Sequence, residues 1–295
     1  MQDIRERIAK SAEATEKLLA RLCDLSDADL QELFDAESYS LLGGGKRIRP
    51  FITREVCAAL GGNVESAEYY GAALEMVHTY SLIHDDLPCM DDDDMRRGRP
   101  TNHKVFGYAT ALLAGDALLT RAFYTAVTNP YATDSQNAEA VRLIAEAAGD
   151  MGMIGGQIID LQGETRRLEW GQLLRLHRLK TGALIKCAAC LGALAAGFGK
   201  DSKEYQEAGV YAEGIGLAFQ VIDDLLDATA TEEELGKSVG SDAARGKTTF
   251  LSYFDVVGAK EYARELTDTS VKAVGSWQDS RTLTELAYYL LERKN

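Results

Sequence analysis

The chain has 295 residues, 32 Lys plus Arg against 46 Asp plus Glu, a formal net charge of −14 and 46% hydrophobic residues. That apolar mass excludes a disordered chain. The acidity excludes a general nucleic-acid binder and a protein held on anionic lipid by charge.

Strong helix formers dominate, and Pro occurs only at positions 50, 88, 100 and 130, so period and propensity predict an all-α chain. Residues 1–10 are charged and show no apolar leader. Helical spacing runs over 3–22 through Ile4, Ile8, Thr15, Leu18 and Leu22. Ser26 is expected to cap a second helix, which Gly43-Gly44-Gly45 ends. The next helix starts near Pro50 and stops before Gly61-Gly62. A long helix covers 65–87, closed by Pro88. Further helices are expected at 108–127, 137–162, 169–196, 203–229, 249–254, 259–274 and 280–293. The stretch 187–198 is too short to span a membrane. Five Cys in an irregular set predict free thiols in a reducing compartment, and Cys187 and Cys190 predict a buried pair on one helix face. The chain is thus expected to be cytoplasmic and to form one domain, 1–295, built as a single antiparallel helix bundle.

The acids concentrate in two places. Gln220, Asp223 and Asp227 share one face of an otherwise apolar helix, with Asp224 beside them. Carboxylates on a core-facing helix need a cation, and a set without Cys or His suits Mg²⁺, which takes one or two carboxylates plus phosphate oxygens. Asp85, Asp86 and Asp91 form the second group. Asp85 and Asp91 would not share a helix face, but a loop containing Pro88 can bring Asp91 back. Arg96, Arg97 and Arg99 follow at once, which suits direct guanidinium contacts to a metal-bound diphosphate. Upstream, Gly43-Gly44-Gly45-Lys46-Arg47-Ile48-Arg49 combines glycines at a helix end with cations, a setting for an anion. His78 lies two turns before Asp85 on the same face.

These segments resemble, in order and spacing, the trans-isoprenyl diphosphate synthase family: GGGKRIRP, HDDLPCMDDDDMRRGRPTNH, LAGDALL, Lys180-Thr181, FQVIDDLLD, Gly236-Lys237 and Gly246-Lys247. The DDxxxxD form of the first motif is similar to the bacterial farnesyl diphosphate synthase branch. The resemblance implies the isoprenoid synthase fold with a deep central cavity. It also implies head-to-tail condensation of isopentenyl diphosphate with dimethylallyl or geranyl diphosphate by ionisation, condensation and elimination. Three Mg²⁺, or Mn²⁺ in their place, would be held by Asp85, Asp86 and Asp91 and by Asp223 with Asp224 and Asp227 around it. Arg96, Lys180, Thr181, Gln220 and Lys237 would contact the allylic diphosphate. Lys46, Arg49, His78 and Arg97 would bind isopentenyl diphosphate. The elimination proton would leave on the departing diphosphate, so no Asp is a general base. A homodimer is the family expectation.

Tyr80 and Ser81, five and four residues before Asp85, would form the floor of the product cavity. A bulky Tyr80 favours a farnesyl (C15) product, with geranylgeranyl (C20) as the alternative. The two remaining alternatives are a class I terpene cyclase, whose second motif would read NDxxSxxxE, and a non-catalytic synthase subunit, which would have lost one acid motif. Ser241 stands where many members carry Lys, so no ligand is expected there.

Overall fold

The computed structural model describes residues 3–229 and 247–293, and the segment 230–246 with Lys237 lies outside it. The regular elements of the described residues are helical except for one two-stranded hairpin. They divide into two compact units, Met1–Arg54 with Asn63–Ile144 and Glu55–Gly62 with Ala145–Asn295.

In the first unit α1 (Ile4–Leu22) is capped by Asp3, whose carboxylate accepts the Arg5 amide, and it buries Ile8, Ser11, Thr15, Leu18 and Leu19. α2 (Gln31–Leu41) starts later than Ser26 implied. A turn precedes it: the Asp27 carboxylate accepts the Asp29 amide at 3.0 Å and the Asp27 carbonyl accepts the Leu30 amide at 3.2 Å. The local cap is thus spent on the turn rather than on a helix. α3 (Ile48–Ala59) follows the glycine segment. α4 (Val64–Asp85), capped by Asn63, is buried almost all round between Ser66 and Val77, which makes it the central helix of this unit. Gly71 lets it approach Pro50, since a Cβ there would lie 2.9 Å from the proline Cα.

After Pro88 the chain forms the hairpin β1 (Met95–Arg96) and β2 (Arg99–Pro100), with Met95 opposite Pro100 and Arg96 opposite Arg99. Arg97 and Gly98, at φ 53° and 74°, make its two-residue turn, the geometry that suits strand twist. α5 (Asn102–Phe106), α6 (Tyr108–Val127) and the first part of α7 (Asp134–Ala148) complete the unit, α6 packing along α4.

In the second unit the helix expected over 137–162 is two helices, α7 and α8 (Met153–Gly163). Gly149 and Gly152 break it, Gly152 at φ −128° and ψ −134°. α9 (Trp170–His177) runs into a π-helical turn, Arg178–Gly182, and on into α10 (Ala183–Ala195), where Cys187 and Cys190 are buried free thiols. α11 (Lys203–Thr229) packs on α10 and on α12 (Val256–Val274), and α13 (Arg281–Leu291) closes the unit. A core of Leu168, Leu173, Leu176, Val221, Leu225 and Phe250 lies under the acid end of α11. Among the described residues no helix is long and apolar enough to cross a membrane.

Candidate active site

The acid loop of the first unit folds back as its spacing predicts. Helix α4 ends at Asp85, and the Asp91 amide donates to the Asp85 carbonyl at 2.8 Å. The Leu87 carbonyl accepts both the Met90 amide at 2.8 Å and the Asp92 amide at 3.2 Å. These bonds close residues 85–91 into one turn, so Asp91 returns to the helix end that carries Asp85. Asp86 is buried, and Arg96 Nε donates to its Oδ1 at 2.6 Å. This ion pair ties the hairpin to the end of α4. The hairpin and α5 are also fixed to α2: Tyr39 Oη donates to the Pro100 carbonyl at 2.8 Å and Asn102 Nδ2 to the Ala36 carbonyl at 2.7 Å. The first acid motif therefore sits on a clamped loop.

Next to it lies a cationic cluster. The Arg97 guanidinium donates to the Gly44 carbonyl. Gly45, at φ 136°, makes room for it, because a Cβ at that position would lie 2.8 Å from Arg97 Nη1. Arg47 is buried and pairs with Glu75 at 2.9 Å, while its Nη2 donates to the Leu41 carbonyl. Burial pushes the His78 pKa well below its usual value. The positive groups of Arg49, Arg97, Arg47 and Arg96 push in the same direction. Burial and Arg97 likewise lower Arg49, against the opposing carboxylate of Glu75. Four arginines that all disfavour positive charge on His78 surround a site poised for an anion. A shallow pocket opens beside Arg96, Arg97 and Arg99. Lys46 is exposed on the same glycine segment. Among the described residues, the non-glycine residues with positive φ are Arg47, Asp92 and Arg97. All three lie in these two segments, and strain kept in this way concentrates at functional sites.

In the second unit the π-helical turn presents Lys180 and Thr181. Gly156 permits this, since a Cβ on it would overlap the Lys180 backbone nitrogen. Lys180 Nζ donates to Asp160 Oδ2 at 2.6 Å, and Lys247 Nζ donates to the same oxygen at 3.1 Å. Burial works to raise the Asp160 pKa, but the two ammonium groups outweigh it and hold the carboxyl below its usual range. Thr181 Oγ1 donates to Gln220 Oε1 at 3.2 Å. Sequence reasoning missed Asp160: a lone acid in the apolar run GGQIIDL carries no periodic signal, and only the fold brings Lys180 and Lys247 to it.

The carboxylates of the second motif differ from one another. Asp223 is about half exposed and takes Arg293 Nη2 at 2.9 Å. Asp224 is buried, and its Oδ2 accepts the Phe250 amide at 2.8 Å, which anchors the 3-10 turn Phe250–Ser252. Asp227 is buried. Among the described residues no group of three His, Cys, Asp or Glu side chains forms a closed cage for an ion. The donors present are carboxylate oxygens, and two of them, on Asp223 and Asp86, pair with the guanidinium groups of Arg293 and Arg96. That donor set fits a hard divalent ion that shares its coordination with water and phosphate oxygens.

Each unit of this helical chain thus carries an acid motif near a helix end, with Arg96 on Asp86 in the first and Arg293 on Asp223 in the second. Residues 30–284 match the family model described as polyprenyl synthetase. The chain is 41% identical over 263 residues to the farnesyl diphosphate synthase of Haemophilus influenzae, covering 89% of each chain. It is 42% identical over 270 residues to geranylgeranyl pyrophosphate synthase 9 of Arabidopsis thaliana, covering 88% of this chain and 74% of that one. An FPP/GFPP synthase structure from Zymomonas mobilis superposes with a TM-score of 0.87 at 34% identity, covering 98% of both chains. The chain belongs to the polyprenyl synthetase family and is a prenyltransferase of isoprenoid biosynthesis.

Proposed function

We propose that the protein condenses isopentenyl diphosphate with dimethylallyl or geranyl diphosphate and releases farnesyl diphosphate. The observation that carries this reading is the cluster of Arg49, Arg97, Arg47 and Arg96 around a neutral His78, directly beside the folded-back loop of Asp85 and Asp91. A terpene cyclase needs one diphosphate site and has no use for that second cationic cluster.

In the first unit Lys46, Arg49, His78 and Arg97 hold the diphosphate of the isopentenyl substrate. A neutral His78 donates one hydrogen bond without adding to the crowded positive charge. Arg96, already aligned by Asp86, contacts the allylic diphosphate. Asp85 and Asp91, with Asp86 in support, are metal ligands. In the second unit Lys180, Thr181, Gln220 and Lys237 contact the allylic diphosphate, and Asp223 and Asp227 are metal ligands. Asp224 keeps its carboxylate on the Phe250 amide and stiffens that helix end. These carboxylates would hold three Mg²⁺, which would supply positive charge to the diphosphate as the allylic C–O bond ionises. The cationic side chains act on the same developing charge. Asp160 holds Lys180 and Lys247 in place before substrate arrives.

Tyr80 carries the C15 assignment. It is buried, its hydroxyl has no hydrogen-bond partner, and burial raises its pKa to about 12. An inert aromatic ring one turn before the metal ligands suits a floor that stops a growing hydrocarbon. C20 is the second reading, favoured by the 42% identity to a plant geranylgeranyl pyrophosphate synthase. A single synthase domain, a homodimer and a cytoplasmic location complete the proposal. The test is diphosphate release by the purified protein given both substrates. Release that requires Mg²⁺ and stops with EDTA supports the reading, and absence of release overturns it.

A further inference from the structure

The run LAGDALL has no role in the chemistry above, yet it packs on His84, the neighbour of the proposed floor. Gly115, on α6, faces α4, and a Cβ on it would overlap the imidazole of His84. His84 fills the space that a side chain at position 115 would take. Its Nε2 lies 3.0 Å from the Leu112 carbonyl, which can only accept, so Nε2 carries the proton and the ring orientation is fixed. Asp116 Oδ1 lies 3.9 Å from the same nitrogen. One turn back on α4, the Tyr80 ring packs against this imidazole edge-on, with centroids 5.6 Å apart at 80°. The Tyr80 hydroxyl makes no hydrogen bond, so no polar contact sets the angle of its ring. Its neighbours do, and His84 is the aromatic one.

We propose that Gly115 and His84 are positioning residues for product length: the absent side chain at 115 seats the imidazole, and the imidazole holds the Tyr80 ring across the growing chain. The proposal rests on Tyr80 being the floor. The substrate class it governs is the allylic diphosphate of each successive length, admitted or refused by the angle of one ring. Chain length is thereby set from α6 as well as from α4, and by a residue that touches no diphosphate.

Product distributions of five proteins test this: wild type, Tyr80→Ala, Gly115→Ala, His84→Ala and His84→Phe, each assayed with Mg²⁺, geranyl diphosphate and labelled isopentenyl diphosphate. Tyr80→Ala is expected to move most product beyond C15. Gly115→Ala and His84→Ala are expected to raise the ratio of C20 to C15 several-fold. His84→Phe restores a ring in the slot without the Nε2 proton and is expected to return the ratio toward wild type. Such a pattern of loss and rescue does not arise from a change in folding or in overall rate. If Tyr80→Ala lengthens the product while Gly115→Ala and His84→Ala leave the ratio unchanged, the positioning role is overturned and the floor stands. If Tyr80→Ala also leaves C15 unchanged, the floor reading fails and the proposal with it. Should Gly115→Ala not fold, the two His84 variants decide.

Discussion

Glu75→Gln separates two effects of one carboxylate. Glu75 is buried, and its Oε1 pairs with Arg47 Nη1 at 2.9 Å. Both side chains are almost entirely shielded, at 3% and 0% exposure. Breaking a buried pair by neutralising one partner costs about 3–5 kcal/mol, because the other charge stays buried. Arg47 retains the Leu41 carbonyl and, at 3.4 Å, the partly exposed Glu16, which places the variant near the lower end, at about 3 kcal/mol. At about 2–4 °C per kcal/mol for a large domain, the melting temperature should fall by about 6–12 °C. Glu75 is also the carboxylate that opposes the mutual repulsion of Arg49 and Arg97. Its loss strengthens the local positive potential, so inorganic pyrophosphate should raise the melting temperature of the variant more than that of the wild type. Thermal melts with and without pyrophosphate read both effects. An unchanged melting temperature would refute the buried-pair argument. A smaller pyrophosphate shift in the variant would refute the assignment of this cluster to an anion.

Asp85→Ala should lose several orders of magnitude in rate while keeping its helical circular dichroism; full activity would remove Asp85 from the metal site. Asp160→Asn leaves Lys180 and Lys247 without their shared counter-charge, and kcat/KM for the allylic substrate should fall about tenfold or more, a decade corresponding to about 1.4 kcal/mol. An unchanged kcat/KM would show that the two lysines keep their places without it. Burial lowers the His177 pKa to about 4, against a pull upward from its hydrogen bond to Gln220. Between pH 6.5 and 4 the unfolded chain therefore binds a proton that the folded chain refuses. This contribution is intact above pH 6.5 and is lost as pH falls, up to about 3 kcal/mol. His177→Phe, which can keep the stacking on Phe250, should flatten that part of the acid limb in urea denaturation; an equally steep limb would contradict the assignment.

Helix existence was legible because apolar period and caps agree along most of the chain, as in 108–127 and 203–229, where expected and observed bounds coincide. The break at Gly149–Gly152 was missed because the apolar pattern continues across it and only the backbone of Gly152 interrupts it. The 95–100 hairpin was missed because its strands are two residues long and too short to alternate. Its turn signal, Gly98, follows an arginine held at positive φ by tertiary contacts. The return of Asp91 to Asp85 was legible from spacing and Pro88. The Asp160 cluster and the seat of His84 against Gly115 were not, since both join residues distant in sequence and one depends on a missing side chain. Lys237 lies outside the described residues, so its role rests on motif order.

The most direct test of the account follows labelled isopentenyl diphosphate and geranyl diphosphate, with Mg²⁺ and purified protein, to the chain length of the product. The account predicts Mg²⁺-dependent incorporation of one isopentenyl unit and accumulation of a C15 diphosphate. A C20 product would contradict the role of Tyr80, and no incorporation at all would contradict the prenyl-transfer mechanism built on the two acid motifs.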